Sequence, residues 1–304
     1  MKYKFPFRRR AITAIVASVF ILGACGGQGS ESADSAPTSS EQSLKIVSLS
    51  PTATEMLYAI GAGDQVVAVD SLSTYPAEVA PKVTKISAYE PSAEAILAYE
   101  PDVVLISNDM NKITEQLTSA DPDIKVWTGA AAASLDDVYA QINELGALTG
   151  RVDNAEEVVS SMKSRIDAAV PDEIPTVAIP VFYELDNTLY SVTSNTFVGA
   201  LLKQFGFASI ADGVEKGNDY PQLNAETIVK SNPAVIFLAD TKCCQQTAAT
   251  VAARAGWSGI AAVANGNVVE LDDDIASRWG PRVVDLIEKF GKAHSALLAK
   301  NVTK

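Results

Sequence analysis

The feature that most constrains the fold is a unit written twice. YEPSAEAILAYEPDVVLIS, beginning at Tyr89, is echoed by YPQLNAETIVKSNPAVIFLAD, beginning at Tyr220. At an offset of 132 residues (226 minus 94), Glu94 aligns with Glu226, Ile96 with Ile228, Pro101 with Pro233, and Val103-Val104 with Val235-Ile236. SPTATEMLYAIG and SNTFVGALLKQFG form a second pair, each a Ser-x-Thr opening a helix that ends before Gly. Two similar α/β lobes in one chain account for such a repeat most economically. The strand signals agree. Lys45–Leu49, QVVAVD and VVLIS in the first half, and TVAIPVF, AVIFLAD and NVVELD in the second, are short apolar runs separated by helical stretches. That alternation predicts βα units around mainly parallel sheets. Thr52 and Glu55 have capping-box spacing ahead of Met56, Leu57 and Ile60, the apolar face of a first helix.

Between the halves the period becomes helical. Leu135, Val138, Ile142 and Leu145 form one stripe, a break falls at Thr149-Gly150, and Val158, Val159, Met162, Ile166 and Ala169 form a second, bounded by Pro171 and Pro175. The second helix is expected to be a strut, with an N-terminal lobe over 44–150, the joining helix over 151–173 and a C-terminal lobe over 174–304. A single domain with both helices covering one sheet is the alternative. In open α/β sheets ligands sit beyond the carboxyl ends of the strands. The rule selects Ser50–Thr52, Asp70–Tyr75, Ser107–Met110, Phe182–Glu184, Asp240–Cys244 and Asp272–Arg278, and two facing sets of such loops would make a cleft.

The first residues address the chain. MKYKFPFRRR carries five positive charges and no acid, and an apolar run of 14 residues, 11–24, follows it. This is the pattern of an export signal, and the run is short of the ~20 residues a membrane span needs. Leu22-Gly23-Ala24-Cys25 looks like the lipobox of bacterial lipoproteins, so residues 1–24 are expected to be a signal peptide and Cys25 to be lipidated, anchoring the protein to the outer face of the cell membrane. Residues 25–43, rich in Gly, Ser and Ala, read as a flexible tether. The whole chain has a net charge of -13. Loss of the five leader cations would bring it to about -18, a charge that repels nucleic acid. A monomer is expected.

The pieces IVSLSPTATEMLYAIGAGDQVVAV, TYP, PSAEAILAYEPDVVLIS, LNAETIVKSNPAVIFLAD and SRWGPRVVDLIEKF, in that order, resemble the extracytoplasmic binding proteins of metal-chelate ABC importers. That family carries cobalamin, ferric siderophores and haem, and the likeness covers about residues 44–298. It implies two Rossmann-like α/β lobes joined by a single long helix, with the ligand between them. It also implies that Glu94 and Glu226 dock on Arg residues of the permease dimer; the alternative is that both carboxylates serve only the dipole of a first helical turn.

The likeness is strongest to the cobalamin-binding members, in which an Asp and an Arg four residues apart bind the amide periphery of the corrin. Asp274 and Arg278 match that pair, and Arg282 is expected to brace the terminal helix. Tyr220 falls where those receptors place a Trp before the second-lobe docking helix, and Tyr89 is near the corresponding first-lobe Trp. Leu72 and Ser107 depart from that pattern, falling near places where aromatic residues line the corrin; Trp127, Phe182, Tyr183 and Trp279 are candidates to supply the missing flat surface. Ser50, Pro51 and Asn108 complete the ligand-binding set from the strand-end loops. Haem and ferric hydroxamate siderophores remain the alternative ligands. Cys243-Cys244, on a cleft loop, form either a vicinal disulfide or two thiols, and both are candidate ligand contacts. His294, the only His, is expected to be exposed, which argues against binding of a bare transition metal. No resident cofactor or metal is expected. No base accompanies a nucleophile in these loops, so no enzyme is expected, although Asp272–Asp274 leave a His-free acid–base enzyme open, as the scaffold leaves a surface sensor or adhesion module.

Overall fold

The computed structural model describes residues 43–302. The expected leader, Cys25 and all but the last residue of the tether lie outside the described residues. Two four-stranded sheets follow each other along the chain. The first holds β1 (Ile46–Leu49), β2 (Val66–Val69), β3 (Val103–Ile106) and β4 (Lys125–Thr128), in the order β2-β1-β3-β4. The second holds β5 (Ile179–Glu184), β6 (Phe207–Ser209), β7 (Val235–Leu238) and β8 (Val268–Glu270), in the order β6-β5-β7-β8. All six pairings are parallel, and the two orders have one topology. The repeat is therefore a repeat of lobes: β7 begins 132 residues after β3 (235 minus 103).

The central strands β1, β3, β5 and β7 are apolar on both sides because each sheet is covered on both faces, as the parallel arrangement requires. In the first sheet Val47, Leu49, Val104 and Ile106 pack with α2 (Ala93–Leu97) and α3 (Ile113–Ala120), through Ile96, Ile113 and Leu117. Ile46, Val103 and Leu105, one residue out of phase, face the other way with α1 (Pro51–Ala59) and α4 (Leu135–Thr149). In the second sheet Phe182, Ile236 and Leu238 form a separate cluster with Trp257 and Ile228, whereas Val181, Tyr183, Val235 and Phe237 join the same core as Ile46 and Val103.

The link between the lobes is α5 (Val152–Ala169). Ala155, Val159, Met162 and Ile166 are buried along one stripe and complete the shared core. Close helix contact needs small residues at both ends of α5. A Cβ on Gly146 of α4 would meet the Ala155 Cβ at 2.5 Å, and one on Gly291 would meet the Ala169 carbonyl at 2.7 Å. Gly291 belongs to the terminal helix, and Arg165 ties α5 to it through Asp285 at 2.7 Å and Glu288 at 2.8 Å. The remaining helices are α6 (Phe197–Lys203), α7 (Ala225–Ser231), α8 (Ala248–Ala252), α9 (Ala261–Ala264), α10 (Asp273–Ala276) and α11 (Val283–Val302).

Three expectations are corrected. The Thr52–Glu55 capping box does not form: Ser50 caps α1, accepting from the Ala53 N–H at 3.2 Å, and Glu55 points into the lobe junction. Arg282 does more than brace α11. Its Nε donates to Glu55 Oε2 and its backbone N–H to Oε1, both at 2.8 Å, which joins the two lobes across 227 residues. His294 is 2% exposed, held in an aromatic cluster with Phe205 and Phe207, and burial lowers its pKa. It lies on the face of α11 that continues the buried Ile287 and Phe290 stripe, so helical phase overrides its nearness to the C-terminus.

Candidate functional site

The strand-end rule leads to a cavity of about 580 Å³. Its wall comes from the N-terminal lobe at the loops after β1, β2 and β3, and from the C-terminal lobe at Ser277–Trp279, between α10 and α11. Six of the residues proposed from sequence lie in it: Pro51, Leu72, Tyr89, Asn108, Arg278 and Trp279. Pro51 opens α1, and Leu72 and Tyr89 are exposed, offering apolar surface to the opening. Trp279 donates its indole N–H to Gln141 of α4 at 3.0 Å, which fixes the ring at the lobe boundary.

Arg278 spans the cleft. Its guanidinium donates to Asp274 Oδ1 at 2.7 Å, one turn back, and reaches the Leu72 carbonyl of the other lobe at 3.4 Å. Asp274 is shared, since Lys242 Nζ donates to its other oxygen at 2.8 Å and to Asp272 at 2.7 Å. Asp273 accepts from the backbone N–H groups of Lys242 and Cys243 and from Thr241 Oγ1, so the acid run orders the loop after β7. Those bonds hold its carboxyl below the usual carboxylate range against the upward pull of partial burial.

The other sequence candidates lie elsewhere. Phe182 and Tyr183 are wholly buried, Phe182 edge-on to Trp257 and Tyr183 donating its hydroxyl to the Ala276 carbonyl at 3.2 Å; both are core residues, because the inward and outward faces of β5 are both covered. Trp127 packs from β4 against the shared core and gives its N–H to Glu144. Ser50 is buried, accepting from Ser107 Oγ at 2.8 Å while it caps α1. Tyr220 is exposed on the C-terminal lobe and is not in the cavity wall. Cys243 and Cys244 are free thiols. Glu94 and Glu226 are exposed in the first turns of α2 and α7, whose caps Ser92 and Asn224 are also 132 residues apart (224 minus 92).

Three features fall within the strand-end loops selected from sequence but were not singled out there as side chains. Asp70, at the end of β2, is in the cavity wall although 0% exposed. The signal was its position in a strand-end loop, but nothing in composition separates it from other loop acids. Met110 adds a flexible apolar contact. In the C-terminal lobe Glu184 and Asp240, both 0% exposed, meet under the cysteine loop, and Arg254 pairs with Glu184 at 2.7 Å while stacking 4.5 Å from the Trp257 ring. Burial and then the Glu184 carboxylate push Asp240 up to about 7. A larger hollow of about 670 Å³ lies away from the strand ends, beside Tyr58, Tyr75 and the Glu55–Arg282 pair. Its buried acid and guanidinium are matched to each other, so the smaller strand-end cavity is the better ligand site.

A family profile described as periplasmic binding protein matches residues 46–275. An uncharacterized ABC transporter substrate-binding lipoprotein of Bacillus subtilis (strain 168) is 33% identical over 84% of this chain and 81% of its own length. A cobalamin-binding protein of Halobacterium salinarum is 31% identical over 86% of this chain and 72% of its own. A solved structure from Staphylococcus epidermidis ATCC 12228, described as a possible iron-binding (periplasmic solute-binding) protein, superposes with a TM-score of 0.67 at 26% identity, over 82% of this chain and 97% of that one. The chain belongs to the periplasmic binding protein family, as a non-catalytic substrate-binding component of transport.

Proposed function

We propose that this protein captures a corrinoid chelate of the cobalamin type and delivers it to the permease dimer of an ABC importer. The carrying observation is the cavity wall: apolar, aromatic and neutral polar side chains from two lobes, with Asp70 and Arg278 its only charged residues among the described residues. A corrin is a large, partly apolar disc edged with neutral amides, so it needs apolar contact area and a few donors and acceptors rather than a cluster of cations. The 31% identical cobalamin-binding relative supports the same reading. The lobes over 44–150 and 174–304 then act as two jaws on the helix over 151–173. Glu94 and Glu226, one per lobe, would meet equivalent sites on a symmetric permease, steering encounter and fixing register. Lipid on Cys25 would hold the monomer at the outer face of the cell membrane.

Haem or a ferric hydroxamate siderophore is the second reading, favoured by Tyr89, whose exposed phenol stands in the cavity wall where it could approach an iron. Titration with cyanocobalamin, haem and ferric hydroxamate, followed by tryptophan fluorescence, separates the two. Trp279 is the cleft tryptophan, so the true ligand quenches it and Trp279→Phe loses most of the signal. Saturable quenching by haem or the ferric hydroxamate alone would discard the corrinoid.

A further inference from the structure

Asp70 follows the last residue of β2 and is withdrawn from solvent. Its Oδ1 accepts the Ser73 N–H at 3.1 Å, closing the turn that carries Leu72. Its Oδ2 is buried and finds no donor. A buried carboxylate oxygen in that condition is uncommon in a native fold, because it has given up water and received nothing in return. The cavity's other charged residue does not supply the donor: Arg278 turns its Nη2 to Asp274 and the Leu72 carbonyl. Burial raises the Asp70 pKa, with the Ser73 bonds, the Leu72 backbone N–H and the Arg278 charge pulling it back.

We propose that Asp70 is a ligand-contacting residue and that, with Arg278, it selects a chelate edged with carboxamides over one edged with carboxylates. This rests on the reading of the cleft as a chelate site. A carboxamide brings two N–H donors for Oδ2 and a carbonyl for the guanidinium, which matches the wall. A carboxylate brings acceptors only, and sets a like charge beside Asp70 where water is scarce. Discrimination then comes from the repelled ligand as much as from the accepted one.

The test uses paired probes: cyanocobalamin against a derivative with its peripheral carboxamides hydrolysed to carboxylates, and haem against its propionamide diamide. Dissociation constants are measured by fluorescence for the wild type and for Asp70→Asn, with the thermal midpoint as the fold control. The wild type should prefer the amide member by roughly tenfold or more, the scale set by an unpaired buried polar group. Asp70→Asn should weaken amide binding and shrink the amide-over-acid ratio several-fold. Equal wild-type affinity for both members, or an unchanged ratio in a folded Asp70→Asn, overturns the proposal. If the variant does not fold, the wild-type ratio alone decides. Discrimination within the haem pair without corrinoid binding would remove the corrinoid and keep Asp70; binding of neither pair would remove both.

Discussion

Arg278 and Asp240 illustrate two uses of a charged side chain, one in the cleft wall and one buried in the C-terminal lobe. Arg278 is half of a matched pair and, among the described residues, the only cation in the cavity wall, so its loss removes the donor without adding bulk. Arg278→Ala should weaken chelate binding by roughly ten- to a hundredfold, the range for a charge-assisted hydrogen bond, with little change in thermal midpoint. Unaltered affinity for cyanocobalamin, haem and ferric hydroxamate would take Arg278 out of the site. Asp240 acts on stability. Its ordinary pKa is 3.8 and its folded one about 7, so the fold binds the proton more tightly than the unfolded chain does. The contribution is fully present below about pH 4 and is lost as pH rises to about 7. Asp240→Asn, which cannot ionise, should therefore gain in thermal midpoint relative to the wild type across that window. Parallel melting curves from pH 4 to pH 8 would refute the proton held on Asp240.

Helices α2 and α7 carry the most legible part of the molecule. Their caps, first-turn glutamates and following strands were visible as a repeat because each role restricts residue type: a side-chain acceptor at the cap, an acid near the positive end, a Pro after the helix, then a buried Val/Ile run. Glu94→Ala with Glu226→Ala should spare chelate affinity and shift the midpoint by no more than about 2 °C, since exposed first-turn carboxylates contribute little. Ligand-dependent ATPase activity of the cognate importer in vesicles should fall sharply; full stimulation would confine both residues to their helices. Less legible were β4 and β6. Lys125–Thr128 has an exposed residue at each end and Phe207–Ser209 is three residues long, so neither presents the continuous apolar run that marks β3 or β7. The cleft was legible as loops and not as side chains. Phe182 and Tyr183 share a strand with Glu184, and only the second cover over that sheet decides that the aromatics are core. Glu55 misled through spacing alone: its partner is 227 residues away.

At the scale of the whole molecule, the decisive fact is that the inner faces of both sheets and the stripe of α5 form one core. Hinged receptors separate two cores by flexible strands, whereas here opening the cleft would shear Ala155, Val159, Met162 and Ile166 from neighbours in both lobes. Interfaces of that kind resist domain motion. Glu55–Arg282 adds a buried charge pair across the junction, with side chains 3% and 16% exposed. Two consequences follow from one cause. Ligand binding should leave the distance between the lobes, measured between spin labels on exposed Glu115 and exposed Lys230, changed by less than about 1 Å. Unfolding should be a single event: Ile166→Ala, which empties part of the shared core, should remove about 2–4 kcal/mol and lower the melting of both lobes together. Trp127 reports the first lobe and Trp257 the second, so variants retaining one of them, with the other and Trp279 replaced by Phe, distinguish the lobes. Loss of stability confined to the Trp257 signal, with the Trp127 transition unmoved, would mean that the lobes fold as separate units and that α5 is a tether rather than part of a common interior.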